Sequence, residues 1–557
     1  MRWLKFTLFA SLTLVTTAIY AQTIPVGAKG LEDYYRREQL KGNLDSSVSF
    51  TVRPIVPNLS FKKENGFYPD SAEVRYNLLE TESEWTDGKF RAKLLPITFQ
   101  TQFNSHHPYG WNDGAMIPAK GLQMLLSPGI YAEYGPLSIQ FQPEIVIAGN
   151  SGFETFNKDH YDIIFARYYD FYNKIDLPVR FGTKEYSKAY WGQSSIRLNY
   201  KGLSIGASTE NLWWGPGMRN SLLMSNTAPG FKHLTFNTTK PINTPIGSFE
   251  GQLIAGRLDG SGYGPLEPNK MYLGSPLYVP KPNDWRYLSG IVLTWHPKWV
   301  PGLFLGLTKS SQTYSKDLNS FSDYLPFFSS NKTITADEPL NKRDERGSLF
   351  LRWLWPEEQA EMYFEYGHNN YSGDFLLEPA NSRAYIFGVR KLLPFNRSRN
   401  ENILLGVEVT QMGDASLDNV LKASGWYNSV SIPHGYTNRG EVLGAGIGPG
   451  GNMQSVEVSW ISGLKRLGLQ LERYVHNTDF YYYAYIDSKD YRRNWTDFSL
   501  AANGEWNYKN FIFNARLQAI QSLNYQWYLI QQPGEKYMVP GKDVFNLQLQ
   551  AGLTYRF

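Results

Sequence analysis

From residue 543 to residue 557 the chain alternates. Phe545, Leu547, Leu549, Ala551, Leu553, Tyr555 and Phe557 fall on one phase; Asn546, Gln548, Gln550, Gly552, Thr554 and Arg556 fall on the other. Successive side chains of a β-strand point to opposite faces, so this segment has an oily face and a wet face along its length. A water-soluble sheet has little use for so long an alternation. A transmembrane barrel requires it, with lipid on one side and a polar lumen on the other. In lipid every backbone N–H and C=O must be paired, and strands meet that demand only as a closed cylinder.

The same period recurs along the chain. Ile139, Phe141, Ile145 and Ile147 oppose Gln140, Gln142 and Glu144, and Ile403, Leu405, Val407 and Val409 oppose Gly406, Glu408 and Thr410. Phe511, Phe513, Ala515, Leu517 and Ala519 oppose Asn514, Arg516 and Gln518. About 18 segments between residues 89 and 557 qualify as strands. The connections alternate too. Those after even-numbered strands are short, as at Gly135, Lys201-Gly202, Pro356-Glu357-Glu358 and Gly463-Leu464; those after odd-numbered strands are long, as in 150–191 and 413–452. Tight periplasmic turns and long outer loops produce that rhythm. The fold class expected is therefore all-β, an 18-stranded antiparallel transmembrane barrel. Tyr134, Tyr200, Trp299, Trp355, Trp506 and Tyr508 flank the short turns, where an interfacial girdle should lie. The mean hydropathy of −0.41 is no objection, since half of each strand faces a polar lumen.

Residues 1–21 read as a signal peptide: Arg2 and Lys5, an apolar stretch from Leu8 to Ile19, then Ala21 before Gln22. That stretch is shorter than the roughly 20 apolar residues of a spanning helix. Export followed by a barrel implies the outer membrane. Residues 22–88 form an N-terminal periplasmic cap with one helix over Leu31 to Lys41, stopped by Gly42-Asn43, and residues 89–557 form the barrel. The C-terminal strand, ending in Phe557, resembles the strand read by the barrel-insertion machinery. That machinery, outer-membrane lipid and lipopolysaccharide are the expected membrane partners. A net charge of +4 over 557 residues gives no reason for a nucleic-acid partner.

Without cysteine there is no disulfide and no thiolate metal site. No G-x-S-x-G, H-E-x-x-H or Walker loop occurs, and His106-His107 on a strand would point to opposite faces. No enzyme activity, catalytic residue, metal or cofactor is expected. Glu133, Glu144, Arg197, Glu250, Arg352, Glu365, Glu408, Glu457, Glu472, Glu505 and Arg516 lie on the polar phase of their strands. They read either as a hydrated wall with cross-strand ion pairs or as a track for a solute or glycan. A barrel of this size is wide enough for an aqueous channel, so a porin or solute transporter is the competing function. The residues before the first strand are too few for the plug domain of a TonB-dependent receptor.

The most distinctive stretch follows the fifth strand, at the outer rim by topology. Glu210-Asn211-Leu212-Trp213-Trp214-Gly215-Pro216-Gly217 leads into Met218-Arg219-Asn220-Ser221 and, further on, Asn226-Thr227-Ala228-Pro229-Gly230-Phe231. Adjacent tryptophans before Gly-Pro-Gly present flat apolar faces on which the C–H faces of sugars can stack, and Asn and Arg offer donors. Rim tryptophans also serve as membrane anchors. At this run the chain resembles the Wzi-type capsule assembly family. Gly110-Trp111-Asn112-Asp113-Gly114 and Gly256-Arg257-Leu258-Asp259 add generic support. The resemblance implies an 18-stranded barrel with a lectin-like role, anchoring or organising exported capsular or exopolysaccharide at the cell surface. The helical bundle of the family's enterobacterial members is not evident, where one helix is read. Polysaccharide contact is expected from Trp111, Asn112 and Asp113 in the first outer loop and from Trp213, Trp214, Arg219 and Asn220 in the third. The tryptophans would stack on sugar rings, Arg219 would meet acidic groups, and Asn112, Asp113 and Asn220 would bond hydroxyls.

Overall fold

The computed structural model describes residues 22–28, 30–61, 65–69, 82–85, 90–319, 321–324, 342–369, 383–413, 425–485, 494–528 and 542–557. The expected signal peptide, 1–21, lies outside the described residues. Eighteen antiparallel strands close into one barrel. In chain order they are β1 Phe90–Asn104, β2 Gly121–Tyr134, β3 Leu137–Phe141 continuing as Glu144–Ala148, β4 Tyr186–Tyr190 continuing as Ser195–Tyr200, β5 Leu203–Ser208 and β6 His233–Thr238 continuing as Ile242–Thr244. Then come β7 Gly247–Leu258, β8 Arg286–Pro297, β9 Leu303–Tyr314, β10 Asp344–Trp355, β11 Ala360–Asn369 and β12 Arg383–Asn396. The last six are β13 Glu401–Gln411, β14 Asn452–Ser462, β15 Lys465–Val475, β16 Thr496–Tyr508, β17 Phe511–Leu523 and β18 Val544–Tyr555. Closure joins β18 to β1, with Gln548 opposite Asn104 and Tyr555 opposite Ile97. A short strand, Glu82–Trp85, pairs beside the first residues of β1.

Alternation sorts the side chains as the sequence requires. On β18 Leu549 is 46% exposed on the outer face, and Gln548 is 1% exposed on the inner. Leu467, Leu469 and Leu471 do the same on β15. The outer face is thus an apolar band that only lipid can cover. Tyr134, Tyr200, Trp299, Trp506 and Tyr508 stand exposed at the short-turn end, and Trp460 stacks on Trp506 with ring centroids 6.3 Å apart. At Lys201 and Gly202 both φ angles are positive (47° and 91°), the geometry of a two-residue hairpin turn matched to strand twist.

The alternation predicts strands over 192–200 and 203–212, and the structure moves a limit of each. β4 begins at Tyr186 rather than 192, running past an interruption near Trp191–Ser194. β5 stops at Ser208 rather than 212 because Glu210 turns into the lumen, where Arg197 of β4 binds it at 2.5 Å.

The lumen is filled from both ends. Helix α1, Glu32–Leu40, lies inside the barrel at the short-turn end, where Leu40 packs on Phe304, Leu354, Leu392, Leu404 and Ile461. Arg36 binds both oxygens of Glu361 at 2.9 and 3.1 Å, and Asp33 accepts from Arg390 at 2.5 Å and Arg37 at 2.8 Å. Above the helix, residues 209–232 fold inward. Leu222, Leu223 and Met224 share an apolar cluster with Trp426, Tyr427 and Tyr436 of the connection between β13 and β14. Helices α2, Asp162–Tyr172, and α3, Thr478–Tyr485, close an aromatic cluster over the outer end.

Because lipid meets the outer phase alone, Leu549→Arg near the middle of β18 should destabilise the barrel by about 2–4 kcal/mol. Urea unfolding from lipid vesicles measures it, and wild-type stability in that variant would contradict the assigned faces.

Candidate functional site

The site is built by three chain segments that the barrel wall holds in place. The entry of the inward loop is pinned at Glu210, whose carboxylate takes Arg197 and Ser208 and also the Thr23 hydroxyl at 2.5 Å. Trp213 and Trp214 then pair antiparallel with Val52 and Arg53 of the N-terminal segment. The Trp214 indole N–H donates to Gln252 of β7 at 2.9 Å, and the Arg53 guanidinium lies 4.4 Å over the Trp213 ring. Gly215 turns at φ +105°, where an added Cβ would stand 3.0 Å from the Glu365 carboxylate.

Just beyond, the backbone curls around a single side chain. The N–H groups of Met218, Arg219 and Asn220 all donate to Glu408 of β13, at 2.7, 3.0 and 3.0 Å, and Tyr363 adds its hydroxyl at 2.8 Å. Consecutive peptide N–H groups converging on one anion form a nest, and bonds to an ionised acceptor are the strong ones. The nest aims Arg219 at Glu472 of β15, which also holds Arg516 at 3.2 Å. Burial works against the Arg219 charge, but Glu472 and Glu408 outweigh it, so its pKa rises above the ordinary value.

The first outer loop is clipped onto this arrangement through Asn112. Its amide donates to the Arg219 carbonyl at 2.7 Å and its oxygen accepts from Thr227 at 3.2 Å, while Asn226 donates to the Asn112 carbonyl at 3.1 Å. Asn112 sits at φ +59°, a left-handed position Asn tolerates better than most residues. Trp111 is thereby set with its ring centroid 5.4 Å from Tyr109 and 5.7 Å from Tyr474, and the Arg219 guanidinium 5.9 Å away. Glu441 faces Asp113 from the β13–β14 connection. Burial first, then the Asp113 charge, push its carboxyl well above the usual carboxylate range.

Between these segments lies a polar cavity of about 250 Å³. Trp111, Asn112, Asp113 and Arg219 line it, with Tyr109 beside them and Glu408, Glu472 and Arg516 from the wall. Four of the seven residues expected at a glycan contact are therefore brought together. Trp213, Trp214 and Asn220 are elsewhere. They are 4%, 0% and 0% exposed and belong to the packing of the loop, not to the outer rim where the topology had put them. The reason is the inward turn at Glu210, which carries the chain off the wall before the tryptophans are reached. Glu408, Glu472 and Arg516 were recognisable as lumen-facing, though not their partners; Tyr109 carried no signal beyond its nearness to Trp111.

An apolar-banded β-barrel whose lumen is occupied by its own N-terminal segment and inward loops is a plugged barrel of the outer-membrane type. The chain belongs to the family described as capsule assembly protein Wzi, whose model matches residues 126–519. No curated protein matches the sequence. Among solved structures, it is similar to the Escherichia coli outer-membrane protein Wzi, described as a carbohydrate-binding β-barrel involved in group 1 capsule assembly. The identity is 12%, with 96% of this chain and 100% of that chain covered and a TM-score of 0.60, a likeness of fold. More distant similarities are Pseudomonas aeruginosa OccK2 (8% identity, 85% and 99% covered, TM-score 0.37) and a BenF-like porin from Pseudomonas fluorescens (7%, 84% and 99%, TM-score 0.37).

The loop that carries Trp111 should respond to acid. Burial holds the neighbouring His107 imidazole down at about 3, with Asp497 pulling the other way. An opened loop returns His107 to its ordinary value of about 6.5, so between these values the open form binds a proton that the closed form refuses. Closure is fully favoured above about 6.5 and weakens by up to about 1.4 kcal/mol per pH unit as pH falls below it. The protection factors of residues 105–114, taken against intrinsic exchange at each pH, should fall between pH 7.5 and pH 5, and His107→Gln should flatten the difference. Equal protection at both values would count against the coupling of His107 to the loop.

Proposed function

We propose that this barrel holds capsular or related exopolysaccharide at the cell surface, as a lectin-like capsule assembly protein that binds without catalysis. The observation that carries this reading is the cavity at Trp111 and Arg219. A ring face, a fixed cation and carboxylates meet there around a space that water or sugar hydroxyls can fill. Sugars present C–H faces to aromatic rings and hydroxyls to planar polar groups, and acidic sugars add a carboxylate for a guanidinium. Membership of the capsule assembly family, and the carbohydrate binding ascribed to the Escherichia coli protein, point the same way.

In this reading Trp111 stacks on a sugar ring, Arg219 meets an acidic group and Asp113 accepts from hydroxyls. Asn112 and Asn220 position the two loops, since Asn112 is committed to Arg219 and Thr227 and Asn220 to Thr410. Trp213 and Trp214 hold the inward loop from beneath. Residues 22–88 act as a periplasmic plug for the barrel at 89–557, with the signal peptide 1–21 removed.

Trp111→Ala combined with Arg219→Ala should lower retention of capsular polysaccharide about tenfold or more, the effect of about 1.4 kcal/mol. Glu472 keeps Arg516 in that variant, so heat-modifiable migration of the barrel should persist. Retention equal to wild type in a folded variant would remove the site. The rival reading as a diffusion channel is checked in planar bilayers, where the plugged barrel should stay silent and large steady openings would refute it.

A further inference from the structure

The lipid-facing wall carries a second concavity, remote from the lumen cavity. Near the long-loop end, between β3 and β8, a groove of about 640 Å³ opens outward. Its lining is almost wholly apolar, and across its floor Leu234 of β6 stands between two small residues, Ala207 of β5 and Ala255 of β7. Trp191 and Phe141 raise one flank, with rings edge-to-face at 6.1 Å. Tyr287 and Tyr324, rings 5.2 Å apart, raise the other beside Trp285.

Two cations head the groove. Lys232 and Arg257 flank the opposed residues His233 and Gly256 of β6 and β7, and the Arg257 N–H donates to the Lys232 carbonyl at 2.9 Å. Like charges opposite one another on one face are unfavourable. Asp259 relieves Arg257 at 2.9 Å but is shared with Arg439 at 3.2 Å, which leaves positive charge in excess at the membrane boundary. The Arg257 guanidinium lies 5.3 Å over the Trp285 ring, and these two residues line both the groove and a second, outward-facing cavity of about 490 Å³. That cavity is polar and aromatic together, with Tyr263, Tyr278, Asp284 and Lys281 around it.

A molecule running from the bilayer to the outside therefore meets an apolar trough, then a pair of cations, then a cavity of aromatic and hydrogen-bonding groups. We propose that this is a binding site for an anionic glycolipid of the outer leaflet, lipopolysaccharide. An acyl chain lies in the groove, a phosphate sits on Lys232 and Arg257, and the first sugars reach the outer cavity. A phospholipid satisfies the first two elements and leaves the third empty. Small-molecule sites run to about 300–1,000 Å³, and the groove falls within that range. This inference does not rest on the lumen cavity.

The test uses the full-length protein extracted from its native outer membrane in mild detergent, with bound lipopolysaccharide measured as 3-hydroxy fatty acid per mole of protein. Lys232→Glu with Arg257→Glu should cut the amount at least about fivefold, the size of effect lost with one or two charge-assisted contacts. Ala255→Trp, which fills the trough and leaves the cations, should do likewise. Leu469→Trp on the lipid face of β15 should retain the wild-type amount. Heat-modifiable migration shows which variants are folded. Wild-type retention in either folded groove variant overturns the proposal, as does displacement of lipopolysaccharide by phosphatidylglycerol vesicles at equal concentration. Binding of lipid-free polysaccharide, assayed in parallel, should be unchanged in the groove variants, so failure here and failure of the lumen site are told apart.

Discussion

A carboxylate taken out of water has to be paired, and in this barrel the pairing runs between wall and plug. Glu361 of β11 takes Arg36 from α1, Arg352 from β10 and Arg390 from β12. Asp33 of α1 reaches back to Arg390, with Arg37 and Arg466 also near. Burial would raise the Asp33 carboxyl, but those three guanidinium groups overcome it and hold it far below the usual range. Removing one partner from such a network strands a buried charge, at about 3–5 kcal/mol. The network's value is in placement. A helix of nine residues is marginal alone in water, and this one is seated at one depth because its charges fit only these sockets.

Glu408 repeats the device with peptide N–H groups in place of guanidinium. It fixes three successive residues of the inward loop, so Arg219 projects from a backbone that cannot swing. The loop is tied to the N-terminal segment as well, through Arg36 of α1 to the Pro216 carbonyl at 2.8 Å and Arg53 to the Gly217 carbonyl at 3.2 Å. Plug, loop and wall thus form one hydrogen-bonded body, and the cavity at Trp111 inherits its shape from all three. A cavity organised in this way would lose little freedom on taking up a ligand, which is the physical advantage of preorganisation.

The barrel was legible because its rule is local. Period-2 alternation and the short–long rhythm of connections can be read residue by residue, and Leu549 and Gln548 face as the pattern demands. The helix at 32–40 was legible for the same reason. What the lumen contains was not, since Glu408 offers the same letter whether it faces water or three peptide N–H groups. One signal was present and pointed the right way. Phe304, Leu354, Leu392, Leu404 and Ile461 lie on the inward phase, where a water-filled channel would want polar residues. They cluster at the short-turn end because Leu40 is packed among them. Trp213 and Trp214 were misplaced through connectivity: a loop leaving the outer end of a strand was read as staying outside, and Glu210 sends it in.

That inward turn shapes both faces of the wall. β5 has only six residues, since the chain leaves the sheet once Glu210 meets Arg197, and β6 resumes at His233 with six more before its own break. Had β5 run on in register past residue 208, Thr209, Asn211 and Trp213 would have continued the lipid face upward. Instead the outer surface above Ala207 is bare, flanked by Trp191 and Trp285 from strands and loops on either side. The residues withdrawn from the wall are the ones that build the plug. A buried ion pair, at 2.5 Å, thus marks the point where the chain leaves the wall for the lumen. Neutralising Glu210 should disturb the inward loop that carries Arg219 and also Ser208, which donates to its carboxylate and lines the groove.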